Sequence, residues 1–243
     1  MRDLDQYSKL YQGLHFEHSM VALRKKLLIE RIAQNKPLEI LEVGCALDPL
    51  FMHISDLVKV TTIEPTEEFF LDAQKKAKHK ANVAIHNCTL EDFETQKSFD
   101  FIVASGVLHE VSNPDLFLER LLHLATSTTT IHINVPNASS FHRELALEMG
   151  LIEDIQAISD NQKLMQQTQK FYTIDTLEAV LVNSGFTVVD SGGYLIKPFT
   201  HAQMTSLIDS QCLTQDMLQG LYEMGKKLPK LAAEIWVECK RGA

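Results

Sequence analysis

Apolar residues recur at helical spacing early in the chain and then give way to short apolar runs separated by amphipathic stretches. From Met20 onward, Val21, Leu23, Leu27, Leu28 and Ile32 return at helical intervals with Arg and Lys between them, which predicts a helix with one buried stripe. Tyr7, Tyr11 and Phe16 give this segment an aromatic leading edge, so residues 1–36 are expected to form an N-terminal helical lid. The pattern then changes. Apolar runs at 38–43, 58–64, 82–86, 99–104 and 129–135 read as strands, the second and fifth stopped by Pro65 and Pro136. Helical stretches fill the gaps. In one of them, Ser112-Asn113-Pro114 supplies a cap and a first-turn proline ahead of Leu116, Phe117, Leu121 and Leu122. Strands alternating with helices predict an α/β fold, a parallel sheet with helices on both faces.

The later chain breaks this rhythm. Residues 137–170 carry no strong strand pattern and read as a helical cap, and a helix from about Thr173 to Ser184-Gly185 leads into a strand at 186–190. A second helical insertion spans 198–229 before the last strand, 233–239. The gap between the last two strands far exceeds a hairpin loop of about 2–5 residues, which marks the insertion as a lid, binding or assembly segment. The expected organisation is a lid at 1–36 and one domain at 37–243, with caps at about 137–170 and 198–229.

A chain of 243 residues, 45% hydrophobic and 23% charged, can bury one large α/β core. A net charge of −9 excludes an overall cationic footprint, so no nucleic-acid partner is expected. The two basic clusters, Arg24-Lys25-Lys26 and Lys75 to Lys80, read as solvated helix faces. Cys45, Cys88, Cys212 and Cys239 show no metal-ligand spacing and read as reduced thiols. The polar start lacks a signal-peptide core, and no apolar run approaches the roughly 20 residues of a membrane span. A cytoplasmic protein without a membrane partner is the expectation.

Candidate chemistry gathers where strands end, the place where open α/β sheets bind ligands. The run Glu42-Val43-Gly44-Cys45-Ala46-Leu47-Asp48 puts a glycine, free of a Cβ, at the first strand's turn. Glu64, followed by Pro65, closes the second strand about 20 residues later, where a carboxylate can take both hydroxyls of a ribose. Thr89-Leu90-Glu91 follows the third strand, placed to flank an adenine. Each alone has an ordinary explanation: a tight turn at Gly44, a solvated strand-end acid at Glu64, helix N-terminal acids at Glu91 and Asp92. Their order and spacing link them.

Over residues 37–135 these features together resemble the class I S-adenosylmethionine-dependent methyltransferases. The resemblance reads 42–48 as that family's acid-x-Gly-x-Gly-x-Gly motif, with Ala46 and Asp48 replacing its later glycines. It makes Glu64 the ribose acid and Thr89-Leu90-Glu91 the adenine segment. It also turns 99–111 into the fourth-strand motif, with Ala104 and Ser105 lining the methionine end. It implies a Rossmann-like, seven-stranded, mostly parallel sheet of order 3-2-1-4-5-7-6 whose last strand is antiparallel. The implied cofactor is S-adenosyl-L-methionine, leaving as S-adenosyl-L-homocysteine, with no metal. Its binding set is Glu42, Gly44, Cys45, Ala46, Asp48, Glu64, Pro65, Thr89, Leu90, Glu91, Ala104 and Ser105, joined by Tyr11 from the lid. Carboxylates near the glycine turn suit a cationic cofactor and oppose a pyrophosphate.

Methyl transfer to a hydroxyl needs a proton acceptor, and a histidine suits that task near neutral pH. His109, directly after strand four, and His142, just past strand five, are the catalytic candidates. His132, inside an apolar strand, reads as a core residue, and His15 and His18 lie on the lid. Arg143 is a candidate phosphate or carboxylate contact, and Lys197-Pro198-Phe199-Thr200-His201 opens the second insertion. Beyond Val135 the chain is more weakly similar to methyltransferases of sugars and other small biosynthetic intermediates. The expected activity is O-methylation of a small-molecule acceptor, a sugar or a phosphorylated intermediate, by a chain for which a homodimer is a compatible assembly. An N-methyltransferase of a small amine, a non-catalytic cofactor-binding module and an NAD-dependent oxidoreductase remain open alternatives at this point.

Overall fold

The strands β1 (Glu39–Val43), β2 (Lys59–Ile63), β3 (Val83–His86), β4 (Phe101–Ser105), β5 (Thr130–Pro136), β6 (Phe186–Tyr194) and β7 (Glu234–Arg241) form one sheet. Its order is β3-β2-β1-β4-β5-β7-β6, as expected. The first five strands are parallel, and β7 runs antiparallel to both β5 and β6. The computed structural model describes residues 15–155 and 171–242. The aromatic edge at Tyr7 and Tyr11, and the later half of the 137–170 cap, lie outside them.

Central strands are buried on both faces, which explains why they read as continuous apolar runs instead of alternating ones. Residues 40–43 of β1, 101–104 of β4 and 130–135 of β5 are all buried. On one face pack α3 (Pro114–Leu124) and α5 (Ile174–Asn183), whose Leu118, Leu121, Leu177 and Leu181 join Leu41, Ile102 and Ile133. Local chemistry starts these helices where the sequence said: Asn113 Oδ1 accepts from the Leu116 N–H at 3.2 Å ahead of Pro114, and Thr173 forms a capping box with Thr176.

On the other face lies α1 (His15–Asn35). Its lower stripe, Leu28 and Ile32, packs on Ile40, Phe101 and Val103, while Phe16, Met20, Leu23 and Leu27 meet Tyr194, Leu195, Tyr222 and Trp236. The second insertion forms α6 (His201–Asp209) and α7 (Gln215–Lys227), which close this second cluster through Met204, Leu218 and Tyr222. Residues between β2 and β3 form α2 (Glu67–Lys76), and those after β5 form α4 (Phe141–Glu148).

Two sequence expectations change here. The strand expected at 186–190 runs on through Ser191, Gly192 and Gly193 to Tyr194, with a bulge between Val188 and Asp190. Its glycines are steric: a Cβ on Gly192 would lie 2.9 Å from the Trp236 ring, and one on Gly193 2.6 Å from Ala232. The Arg24-Lys25-Lys26 cluster is not a solvated face. Arg24 pairs with Glu234, Lys25 Nζ donates to the Asp48 carbonyl at 2.6 Å, and Lys26 Nζ donates to Gln219 at 2.6 Å. Charged heads on one helix meet three separate elements, which no reading of α1 alone reveals. Lys75, Lys76 and Lys78 are exposed as expected, and Lys80 is half-buried against Asp56. His132 is a core residue as expected, stacked between Phe101 and Trp236 with Nδ1 3.4 Å from Glu238.

Where α7 crosses the end of β6, Gly225 presses on the chain itself, and a Cβ there would sit 2.1 Å from the Leu195 nitrogen. Gly225→Ala should gain about 1 kcal/mol of helix propensity yet lose about 3 kcal/mol to overpacking, because the obstacle is backbone that cannot rotate away. The expected net result is destabilisation by about 2 kcal/mol, read as a lower urea midpoint with unchanged slope. A stabilised variant would mean that α7 does not seat as described.

Candidate active site

The β1 turn is built around the Glu64 carboxylate. Gly44 takes φ +75°, and a Cβ on it would meet Val107 Cγ2 at 3.1 Å, so both backbone shape and space select glycine. Ala46, where the related motif carries glycine, also lies in the left-handed region at φ 45°. Between them the backbone offers consecutive N–H groups to one acid. Glu64 Oε2 accepts from Cys45 N–H at 2.9 Å and Ala46 N–H at 3.1 Å, and Oε1 accepts from Thr66 N–H at 2.9 Å. Glu64 is 4% exposed, so this is an interior anchor and not a solvated strand-end acid. The amides that would have to receive a pyrophosphate are thus already occupied by a negative group, which opposes a phosphate-bearing dinucleotide at this turn.

Other acids reinforce that polarity. Glu42 is buried beneath the turn and accepts from Leu50 N–H at 2.9 Å and Thr62 Oγ1 at 3.1 Å, with Lys25 Nζ at 3.7 Å. Burial raises its carboxyl above the ordinary range although Lys25 pulls the other way. Asp48 Oδ1 meets His53 Nε2 at 2.5 Å. Cys45 is buried and its thiol is pushed up by desolvation and by Glu42 and Glu64, which makes it a packing residue and not a nucleophile.

These groups line one cavity of about 1030 Å³. Pockets that take one drug-sized ligand measure about 300–1,000 Å³, so this cavity lies at the top of that range. At one end stand Gly44, Cys45, Ala46, Asp48, Glu64 and Pro65, with Glu42 behind them. Thr89, Leu90 and Glu91 form an adjoining wall, and Ser105 lies at the end of β4 with its Oγ 3.3 Å from Asn134 Oδ1. Ala104 is the exception. It packs in the core among Leu41, Ile102 and Ile133, because alternate residues of a strand face opposite sides and the cavity takes Val103 and Ser105. Tyr11 lies outside the described residues.

At the other end both catalytic candidates appear. His109 sits in the turn after β4, its Nε2 3.6 Å from Glu110 Oε1. His142, on α4, has Nδ1 3.1 Å from Ser140 Oγ. Burial first, then the charges of Lys197, His201 and Arg143, hold its pKa down at about 2, so its imidazole is neutral. Arg143 donates to the Ile155 carbonyl and lies over the Phe171 ring at 5.1 Å.

Sequence reading did not single out the acids of this end. Glu234, on β7, is gripped by both prongs of Arg24 and accepts from the Tyr194 hydroxyl. Glu17, on α1, lies 3.7 Å from Arg24 and 3.4 Å from His201 Nε2. The available signal was the placement of Glu234 and Glu238 within an otherwise apolar strand, since buried carboxylates require partners.

A family model described as "Methyltransferase domain" matches residues 16–191. The human mitochondrial ubiquinone biosynthesis O-methyltransferase is 28% identical over 203 residues, covering 75% of this chain and 53% of its own length. The chain therefore spans about half the length of that curated relative. Among solved structures, the plantazolicin methyltransferase BamL, in complex with a triazolic desmethylPZN analog and SAH, superposes with TM-score 0.64 at 17% identity, covering 98% of this chain and 95% of its own. A Burkholderia thailandensis 1,6-didemethyltoxoflavin-N1-methyltransferase superposes with TM-score 0.62 at 13% identity, over 98% and 87% of the two chains. At such identities the superpositions speak to fold alone.

Proposed function

Because this chain belongs to the methyltransferase family, in the class I branch that uses S-adenosylmethionine, we propose that it methylates an oxygen atom of a small polar acceptor, a sugar or a phosphorylated intermediate, with His109 taking the hydroxyl proton. One observation carries the reading: an acid-lined glycine turn and a histidine-bearing recess share a single cavity of about 1030 Å³.

The residues present fit the cofactor. Carboxylates at Asp48 and Glu64 favour a ligand bearing an ammonium and a sulfonium, and the positive-φ turn at Gly44 leaves its backbone open to close approach. Glu64 would hold the ribose hydroxyls, Thr89-Leu90-Glu91 the adenine edge, and the 44–48 turn with Ser105 the amino-acid end. Bound there, S-adenosylmethionine supplies a methyl group activated by its sulfonium. The chain's own tasks are to orient the acceptor, exclude water and receive a proton. Helix α1 serves as the lid, since Arg24 and Lys25 tie it across both halves of the cavity.

His109 is favoured over His142 as proton acceptor on electrostatic grounds. A proton on His142 would stand beside Lys197, His201 and Arg143 in a dry site, whereas a proton on His109 gains the Glu110 carboxylate 3.6 Å away. The O-directed reading draws support from the human relative, which is an O-methyltransferase by name.

Calorimetric titration with S-adenosylhomocysteine tests the cofactor half. Glu64→Ala should weaken binding by about 10- to 100-fold, since a charged acceptor for the ribose disappears and the 45–46 amides lose their anchor. Unchanged affinity would remove Glu64 from the site, and failure of the unaltered protein to bind at saturating ligand would overturn the reading as a whole.

A further inference from the structure

The acceptor half of the cavity contains a buried cation with no carboxylate in contact. Lys197 is 4% exposed and lines the cavity. Its ammonium has three donors, and it meets His201 Nδ1 at 3.1 Å. Among the described residues no carboxylate lies within ion-pair distance of it. The acids whose charge it feels, Glu17 and Glu234, are committed elsewhere. Glu234 is held by Arg24 and Tyr194, and Glu17 lies against Arg24 and His201. Donation from Lys197 to Nδ1 leaves the His201 proton on Nε2, the nitrogen 3.4 Å from Glu17.

Two further features bear on what meets this ammonium. Arg143 lines the same wall, and it, Lys197 and His201 are close enough together that each depresses the basicity of His142. Burial lowers Lys197 itself to about 8, which leaves it mostly protonated at neutral pH. Next to these cations the wall is apolar, formed by Ala146, Ile152 and Phe171. An ammonium kept out of water without an anionic partner is costly, and an anion arriving there gains charge-assisted hydrogen bonds in a dry site. A lysine presents a compact point charge, suited to a small anionic head.

We propose that Lys197, with Arg143 beside it, is the seat of an anionic group, carboxylate or phosphate, carried by the methyl acceptor on an apolar body. This rests on the cavity being the acceptor site of a methyltransferase, and the test separates the two ideas. The full chain, saturated with S-adenosylhomocysteine, is titrated calorimetrically with benzoate, phenyl phosphate and the uncharged benzamide. At least one anion should bind about tenfold or more tightly than benzamide, and the better of the two identifies the head group. Lys197→Met should erase that preference while S-adenosylhomocysteine affinity stays unchanged, and Lys197→Arg should keep part of it. Equal binding of all three probes to the unaltered protein overturns the proposal without any variant, as does a preference that survives Lys197→Met. If the unaltered protein binds no S-adenosylhomocysteine, the methyltransferase reading fails instead, and the same titrations on the cofactor-free chain still decide the anion preference.

Discussion

His109→Ala is expected to slow methyl transfer by about 10²- to 10⁴-fold while leaving S-adenosylhomocysteine affinity unchanged. The size follows from the loss of a positioned proton acceptor. The separation from binding is expected because His109 lies in the β4–α3 turn beside Glu110, on a different loop from the Glu64 carboxylate and the 45–46 amides that hold it. Single-turnover transfer of labelled methyl to the acceptor reads the chemical step apart from product release. His142→Ala should have a much smaller effect, since burial and the charges of Lys197, His201 and Arg143 disfavour a proton on that imidazole. A normal rate in the His109 variant would remove His109 as the base, and a normal rate in both histidine variants would remove histidine base catalysis and favour an amine acceptor that arrives already deprotonated.

Glu234→Ala should destabilise the fold by about 3 kcal/mol. Removing one member of a buried pair leaves the other charge uncompensated, at a cost of about 3–5 kcal/mol, and Arg24 places this case at the lower end because 19% of its side chain is still exposed. The Tyr194 hydroxyl also loses its acceptor. The Arg24→Met, Glu234→Leu double variant should be much less destabilised than Glu234→Ala, since the pair's benefit over packed apolar residues is small. Urea denaturation of the single and double variants measures this, and a single-variant loss below about 1 kcal/mol would mean that water reaches Arg24 freely. Acid should imitate the substitution. Burial opposes ionisation of Glu234, but Arg24 and Tyr194 outweigh it, so the folded pKa lies below the ordinary carboxylate value. The pair's stabilisation is therefore complete above the unfolded pKa of about 4.3 and is lost as pH falls through the folded one. Glu238, held at about 2 by Arg31 and His132 against its own desolvation, should act in the same direction.

Much of the architecture was legible along the chain because it depends on local periodicity. Strands β1 to β5 fall within two residues of their apolar runs, the cap at Asn113 marks the helix start it was read to mark, and the later helix begins at Thr173 as expected. The β6 strand was underestimated because its glycines look like a turn until Trp236 and Ala232 are seen pressed against them. Within the site, the glycine turn and Glu64 could be read because about 20 residues separate a strand-end glycine turn from the acid that closes the next strand in this kind of unit. Ala104 went astray through a matter of parity: a single-residue step along β4 turns a side chain from cavity to core.

From sequence alone came the fold class, the strand-end turn at Gly44 with its Glu64, and the two histidines that line the same cavity, all of which follow from short-range pattern or motif resemblance. Tertiary structure alone decided the polar partnerships. Arg24 and Glu234 lie 210 positions apart, and Lys197 becomes a buried cation only where β6, α1 and β7 converge. The physical reason is that a charge's partners and its access to water are properties of converging elements, and no window along the chain contains them.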